Sequence, residues 1–238
     1  MRVARHVTAV VAACVIATSL MGAAEMSAPA SLERLKAGNA RFVADPAAAL
    51  AIDAESRLAQ TRGQSPFAIV LSCADSRVPP EVIFNVGLGD LFIVRTAGQV
   101  ADKVVLASIE YGAEHLHVPL VVVMGHESCG AVTATMEMKP GAASMGPNLD
   151  ALVGAIRPAF DRMSTPADTA HLKDAVLANV EEVVNGLLTR SAIIKRLVAD
   201  KTVDIVGAYY ELGTGRVYFS APVALPTVSA PLGPAEHR

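Results

Sequence analysis

Two short segments of the sequence hold side chains that bind metals. Each segment directly follows an apolar run, 67–71 or 120–124, of the kind that forms a buried parallel strand. The candidate ligands are one cysteine from the first segment and a histidine and a cysteine from the second: Cys73, His126 and Cys129. Thiolate sulfur and imidazole nitrogen are ligands that Zn²⁺ prefers. Because ligands of open parallel sheets collect at the carboxyl ends of the strands, the sequence predicts a zinc site there.

The number of available ligands distinguishes two kinds of zinc site. A structural site usually takes four protein ligands, whereas a catalytic site takes three and keeps a fourth position open. The chain has 3 cysteines, and Cys14 lies in a segment that we predict to be removed. Three good ligands therefore remain, which favours a catalytic site. The alternative is two packed cysteines and a hydrogen-bonded histidine without a metal.

Asp75 and Arg77 follow Cys73 at alternate positions. Residues two apart in an extended segment point to the same side, so the three polar groups can share one face. One interpretation is a structural ion pair that holds the loop. The other is that Arg77 holds the carboxylate of Asp75 beside the open metal position. There Asp75 can accept a hydrogen bond from a zinc-bound hydroxide or bind the metal itself.

Composition limits the other possibilities. The 238 residues are 52% hydrophobic and 18% charged, enough to bury a complete core in one domain. The formal net charge of −3 gives no reason to expect nucleic acid or an anionic membrane surface as a partner. Sparse cysteine excludes a disulfide scaffold. We interpret His115 and His117 as surface histidines and not as a second metal site.

Apolar runs alternate with helical patterns along the chain. This alternation predicts a single α/β domain with a central, mostly parallel sheet flanked by helices. The first helix is predicted to start at Ser31 as its N-cap and to stop at Asp45-Pro46. Further helices are predicted at 49–58, 103–115, 129–138, 149–162, 171–188 and 191–199. Strands are predicted at 67–71, 91–95, 120–124 and 202–210, with an edge strand at 216–220.

The N-terminal segment has the pattern of a secretory signal peptide. Arg2 and Arg5 precede an apolar stretch, 7–21, and small residues follow it. We predict cleavage after Ala24, or as late as Ala30, and export to a bacterial periplasm. The segment 1–24 is therefore excluded from the fold.

Two alternatives for this segment stay open, a retained membrane anchor and a lipoprotein cleaved before Cys14. The apolar stretch is only marginally long enough to span a bilayer, and we expect no stable membrane span after cleavage. The zinc domain is predicted to cover residues 31–220. A tail rich in proline and alanine, 221–238, follows it.

Together, the two segments resemble a known signature. Cys73-x-Asp75-x-Arg77 followed by His126-x-x-Cys129-Gly130 is similar to the paired motifs of the β-class carbonic anhydrases. The resemblance covers roughly residues 31–220. Further family-like segments occur in the expected order at 64–66, 89–92, 95–98, 108–111 and 207–210.

The resemblance implies the β-carbonic-anhydrase fold, one Zn²⁺ per chain and a catalytic pair. The metal ligands would be Cys73, His126 and Cys129, and the pair would be Asp75 and Arg77. It also implies a substrate pocket across the interface of a homodimer or dimer of dimers. The residues that would line this pocket are Gln64, Phe92, Ala97, Tyr111 and Gly130.

The implied activity is that of a zinc lyase, the reversible hydration of carbon dioxide to bicarbonate and a proton. Zinc-bound hydroxide would attack the carbon. A bicarbonate-regulated subclass carries tryptophan three residues before the first zinc cysteine, where this chain has Val70, which argues against that regulation. Two alternatives are a hydrolase of another small cumulated electrophile, such as carbon disulfide, and a non-catalytic zinc-binding or anion-binding module.

Overall fold

The fold is that of a computed structural model, which describes residues 26–48, 50, 52–138 and 141–223. The predicted signal peptide, 1–24, lies outside this part of the chain. Of the predicted tail, residues 221–223 are described.

A five-stranded sheet forms the centre of the molecule. Its strands are β1 (Ala68–Cys73), β2 (Leu91–Thr96), β3 (Leu120–His126), β4 (Asp204–Tyr210) and β5 (Val217–Phe219). They lie in the order β2-β1-β3-β4-β5. The first four strands are parallel, and β5 is antiparallel to β4. This arrangement confirms the predicted α/β domain with a mostly parallel sheet.

Helices cover both faces of this sheet. The helices in the described part of the chain are α1 (Ala28–Ala44), α2 (Ala54–Ala59), α3 (Pro80–Ile83), α4 (Lys103–Glu114), α5 (Gly130–Glu137), α6 (Pro147–Ile156), α7 (Leu172–Arg190) and α8 (Ala192–Ala199). Short 3₁₀ segments occur at Gln60–Arg62, Ala97–Gln99, Arg157–Arg162 and Thr169–His171.

The sheet separates two hydrophobic clusters. Successive residues of a strand face opposite sides, so Val70 lies in one cluster, and Ile69 and Leu71 lie in the other. Helices α1 and α5 and the start of α7 contribute to the first cluster. Helices α4 and α8 and the remainder of α7 contribute to the second. Burial on both faces explains why the strands appear in the sequence as continuous apolar runs.

The prediction that Ser31 caps the first helix is wrong. The helix begins at Ala28, where the hydroxyl of Ser27 accepts a hydrogen bond from the backbone N–H of Ala30 at 3.4 Å. Ser31 is buried inside the helix. Pro29 fits the first turn because its missing N–H would have no partner within the helix. The same small residues match a signal cleavage site, so the sequence is ambiguous at this position.

Other elements also differ from the predictions. Helix α2 starts only after Asp53, whose carboxylate accepts a hydrogen bond from the backbone N–H of Ser56 at 2.7 Å. The short helix α3 follows Pro79 and was not expected. The predicted helix 149–162 begins earlier, at Pro147, and its last six residues are a 3₁₀ segment. Pro158 lies in that segment, and it lacks the N–H that an α-helical hydrogen bond requires.

Asn39 ties α1 to two distant parts of the chain. Asn39 is buried, with only 6% of its surface exposed. The amide nitrogen donates to the carbonyl oxygens of Ile83 at 3.1 Å and Gly215 at 2.8 Å. The amide oxygen accepts from the backbone N–H of Val217 at 2.9 Å. One buried side chain thus satisfies three backbone groups that belong to α3, the final turn and β5.

We expect Asn39→Ala to lower the free energy of unfolding by about 2–4 kcal/mol, because it leaves buried backbone groups without partners. Urea unfolding followed by circular dichroism measures this change. Lys36→Ala is the matched control, since Lys36 lies on the exposed side of the same helix with a side chain 46% exposed. The control should change stability by no more than about 0.5 kcal/mol. Equal effects of the two variants would contradict the assigned role of Asn39.

Candidate metal centre

Two neighbouring parallel strands bring the three candidate ligands together. β1 ends at Cys73 and β3 ends at His126, and these strands are paired in the sheet. Cys129 lies directly before α5. Residues Cys73, His126 and Cys129 are 5%, 1% and 0% exposed. One ligand atom from each lies within 4.8 Å of the other two. The structure therefore assembles the donor set that the sequence suggested.

The turn between β3 and α5 determines the position of Cys129. Ser128 in this turn has a φ of 55°, in the left-handed region that non-glycine residues rarely adopt. This backbone reversal brings Cys129 back towards His126. The carbonyl oxygen of Ser128 accepts a hydrogen bond from Arg77 at 3.1 Å. The segment that contains Arg77 thus holds the turn that contains Ser128 in place.

The ring of His126 is oriented for metal binding. Its Nδ1 lies 2.8 Å from the carbonyl oxygen of Glu127 and can only donate to that acceptor. The proton is therefore on Nδ1, and Nε2 keeps a free lone pair. Nε2 is buried and has no hydrogen-bond partner among the described residues. Since a buried polar atom without a partner is destabilising, this lone pair fits a metal ion bound together with the two sulfurs.

The two thiols differ in how readily they ionise. A hydrogen bond from the thiol of Cys129 lowers the pKa of Cys73 to about 4. The same hydrogen bond, together with burial, raises the pKa of Cys129. The backbone N–H of Gly98 also donates to Cys73 Sγ, at 3.3 Å. A dication bound by both sulfurs would replace the proton of the Cys129 thiol, so the chemistry of these donors fits Zn²⁺.

Asp75 and Arg77 form a bidentate ion pair beside the candidate metal ligands. Arg77 Nε donates to Asp75 Oδ1 at 2.9 Å, and Nη2 donates to Oδ2 at 2.7 Å. The backbone N–H of Arg77 also donates to Oδ1, at 2.9 Å. Asp75 Oδ2 lies 4.0 Å from His126 Nε2. The carboxylate is thus held next to the three ligands by its arginine partner.

The ion pair also determines the protonation state of Asp75. Hydrogen bonds from the Arg77 side chain hold the pKa of the Asp75 carboxyl far below its usual range. Asp75 is therefore ionised and can only accept hydrogen bonds. An ionised acceptor next to a metal site is suited to orienting a water or hydroxide.

Arg95 supports the metal centre from outside both metal-binding segments. Its guanidinium donates to the carbonyl oxygen of Cys73 at 2.9 Å and to that of Asp75 at 2.5 Å. The side chain therefore holds the backbone that presents both groups. The local sequence gives no signal for this role, because Arg95 lies at the end of a different strand, β2.

The five residues of the predicted pocket separate into two groups. Ala97 and Gly130 lie at the metal centre: Ala97 starts the 3₁₀ turn that contains Gly98, and Gly130 directly follows Cys129. A Cβ atom added to Gly130 would meet nothing within 4 Å, so the space beside it is open.

Gln64, Phe92 and Tyr111 lie elsewhere in the same chain. Gln64 is exposed and precedes β1. Phe92 is four residues before the β2 residue that pairs with Cys73, which places its backbone roughly 13 Å away along the strand. The ring of Tyr111 lies 6.2 Å from that of Phe92. A single chain thus does not bring these three residues to its own metal centre.

His115 and His117 are both exposed, as expected for surface histidines. In the part of the chain that the structure describes, no helix is long and apolar enough to cross a bilayer.

Comparison with known proteins gives the family. Residues 68–217 match the family model described as carbonic anhydrase. The chain is 42% identical over 189 residues to the carbonic anhydrase of Mycolicibacterium smegmatis, covering 79% of this chain and 91% of that one. It is 39% identical over 187 residues to carbonic anhydrase 2 of Mycobacterium tuberculosis, covering 79% and 90%.

A solved structure agrees with these matches. The β-carbonic anhydrase of Coccomyxa, in complex with acetazolamide, superposes with a TM-score of 0.63 at 27% identity, covering 72% of this chain and 79% of that one. These matches agree with the parallel sheet and with the Cys-His-Cys group at the carboxyl ends of its strands. The chain therefore belongs to the β-class carbonic anhydrase family.

Proposed function

We propose that this chain hydrates carbon dioxide reversibly to bicarbonate and a proton, with one Zn²⁺ held by Cys73, His126 and Cys129. The observation that carries the proposal is the buried lone pair of His126 Nε2, which has no hydrogen-bond partner in the described part of the chain and lies beside two thiols. Membership of the carbonic anhydrase family supports the reaction.

The residues of the chain have separate tasks in this reaction. When bound, zinc supplies Lewis acidity that lowers the pKa of a water, so that a hydroxide nucleophile is available near neutral pH. Asp75 accepts a hydrogen bond from this nucleophile and orients its lone pair towards the substrate carbon. Arg77 keeps Asp75 in place through its bidentate hydrogen bonds to the carboxylate. The open space beside Gly130 admits the small, apolar substrate.

We expect about one tightly bound zinc per chain in protein purified without chelator, measured by elemental mass spectrometry. Cys73→Ser and His126→Ala should each lose zinc and carbon dioxide hydration in a stopped-flow assay, because each removes a ligand. His117→Asn is the control and should keep both, since His117 is exposed and outside the ligand group. Zinc-free wild-type protein would overturn the assignment. Zinc-loaded protein that hydrolyses carbon disulfide but does not hydrate carbon dioxide would favour the alternative substrate.

We expect Arg77→Ala to lower hydration activity at least tenfold while zinc remains bound, because Asp75 loses the partner that positions it. Arg77→Lys should be nearly as impaired, since an ammonium group cannot make the bidentate contact with the Asp75 carboxylate. Stopped-flow kinetics and zinc content of the same preparations measure both effects. Normal activity in Arg77→Ala would mean that the pair only holds the loop.

We also propose that the active unit is a homodimer or a dimer of dimers, in which each metal centre takes Gln64, Phe92 and Tyr111 from the partner. The distance between these residues and the metal centre of their own chain supports this arrangement. Tyr111 is 47% exposed, and β2 lies at an edge of the sheet with every residue only partly buried. A partner at this edge would cover both features.

A mixing experiment distinguishes a shared site from a self-contained one. Cys73→Ser and the double variant Gln64→Ala/Tyr111→Ala should each be impaired alone. Coexpressed in equal amounts, they should recover about a quarter of wild-type activity, because half of the dimers then contain one intact site. Coexpression of Cys73→Ser with His126→Ala is the control and should recover nothing, since each chain lacks a ligand. Absence of recovery in the first mixture would contradict the shared site.

We propose, finally, that the chain is exported to a bacterial periplasm by the N-terminal segment 1–24. Two basic residues, Arg2 and Arg5, and the apolar stretch after them support this. Cleavage after Ala24 leaves intact the cap of α1, in which Ser27 accepts from Ala30. Cleavage after Ala30 would remove that cap and the first turn, so the earlier site fits the fold better.

A further inference from the structure

The turn that follows β2 reaches the metal centre from outside the two metal-binding motifs. The backbone N–H of Gly98 donates to Cys73 Sγ at 3.3 Å. Gly98 and Gln99 have φ angles of 61° and 46°, both in the left-handed region. A glutamine in this region is strained, so neighbouring contacts must hold the turn in this conformation.

Asn179 of α7 supplies the contact that holds the turn. It is 1% exposed, and its amide nitrogen donates to the carbonyl oxygen of Gly98 at 2.9 Å. Two hydrogen bonds to the backbone of Gly98 therefore connect Asn179 to the sulfur of Cys73. Asn179 is 81 residues away from Gly98 in the sequence.

The polar atoms beside this contact lack protein partners. Asn179 Oδ1 and both polar side-chain atoms of Gln99 are buried without hydrogen-bond partners among the described residues. Buried polar groups in this state are destabilising, and apolar residues of similar shape would avoid that loss. Two amide side chains at such a position point to a role in the neighbouring site.

The turn is also confined on its other sides. A Cβ atom on Gly98 would lie 2.8 Å from Ile156 Cδ1 and 3.3 Å from Ala131 Cβ. A Cβ atom on Gly125, the residue before His126, would lie 3.5 Å from Gln99 Nε2. The turn thus packs between α5, α6 and α7 and touches both metal-binding strands. A displacement of Gly98 would move its N–H away from the sulfur.

A hydrogen bond to a thiolate changes how the sulfur donates to a metal. Two thiolates formally cancel the charge of Zn²⁺, which reduces its ability to polarise water. An N–H group that donates to one sulfur withdraws electron density from it and offsets part of that reduction. Partners outside the ligand set commonly orient and tune metal ligands in this way.

We propose that Asn179 is a positioning residue for the metal centre. Its amide holds the Gly98 carbonyl so that the Gly98 N–H stays on the sulfur of Cys73 and limits electron donation to the metal. This role rests on the proposed metal site. Asn179 itself lies outside both metal-binding motifs and is not one of the predicted metal ligands, the Asp75–Arg77 pair or the predicted pocket residues.

Cobalt substitution tests this role independently of carbon dioxide hydration. Co²⁺ bound to thiolate shows a sulfur-to-metal charge-transfer band, and its energy falls when the sulfur donates more strongly. Asn179→Asp keeps the shape of the side chain but turns the donor into an acceptor facing the Gly98 carbonyl. Asn179→Ala removes the donor without adding a charge. Both should move the band of the Co²⁺ protein to longer wavelength. Both should also weaken zinc binding by about tenfold in a chelator competition, because Cys73 loses the donor that positions it and stabilises its thiolate form.

Val183→Ala is the matched control. Val183 lies one turn further along α7, is 9% exposed and belongs to the second hydrophobic cluster, and its aliphatic side chain cannot donate to the Gly98 carbonyl. Its truncation should lower the unfolding midpoint but leave the cobalt band in place. An unchanged band in both Asn179 variants, with a lowered unfolding midpoint, would show that Asn179 only stabilises the fold. A wild-type chain that takes up neither cobalt nor zinc would overturn the metal site itself and this role with it.

Discussion

The metal centre depends on β1 and β3 being neighbours in a parallel sheet. Parallel strands present their carboxyl ends at the same edge, and the loops that follow carry Cys73, His126 and Cys129. Burial of both strands on two faces keeps this pairing in register. The ligands can therefore meet within 4.8 Å without any long flexible connection. The other groups of the site, Asp75, Arg77 and Arg95, position or support side chains at this same edge of the sheet.

The surroundings of the ligands are arranged by charge and by hydrogen bonds. Donation from His126 Nδ1 to a backbone carbonyl leaves Nε2 as a free lone pair. Arg77 keeps the carboxylate of Asp75 ionised and close to the ring without placing it among the ligands. Arg95 holds the backbone of the same segment. A divalent cation, an ionised acceptor and a guanidinium can thus occupy one small region, because each charge has an opposite neighbour.

The sequence was informative wherever the relevant residues are close together in the chain or follow a strand. The α/β class, the strands and the paired motifs could be predicted, because apolar runs and ligand types are local properties. Boundaries were less certain. The sequence predicts Ser31 as the cap of α1, whereas the structure has Ser27 there, because the small residues that precede the helix also fit a cleavage site. The short helix α3 and the 3₁₀ turn 97–99 have too few residues for a periodic pattern.

The sequence by itself determined the chemistry that is available: two thiols, an imidazole, and a carboxylate with its arginine two residues away. Only the tertiary structure decided which groups support them and which lie apart. The contacts of Asn179 with Gly98 and of Arg95 with the 73–75 backbone join distant segments, so no local pattern encodes them. The separation of Gln64, Phe92 and Tyr111 from the metal centre likewise follows from strand register. Residue types can be read from the chain, whereas distances between remote segments arise only when the helices pack on the sheet.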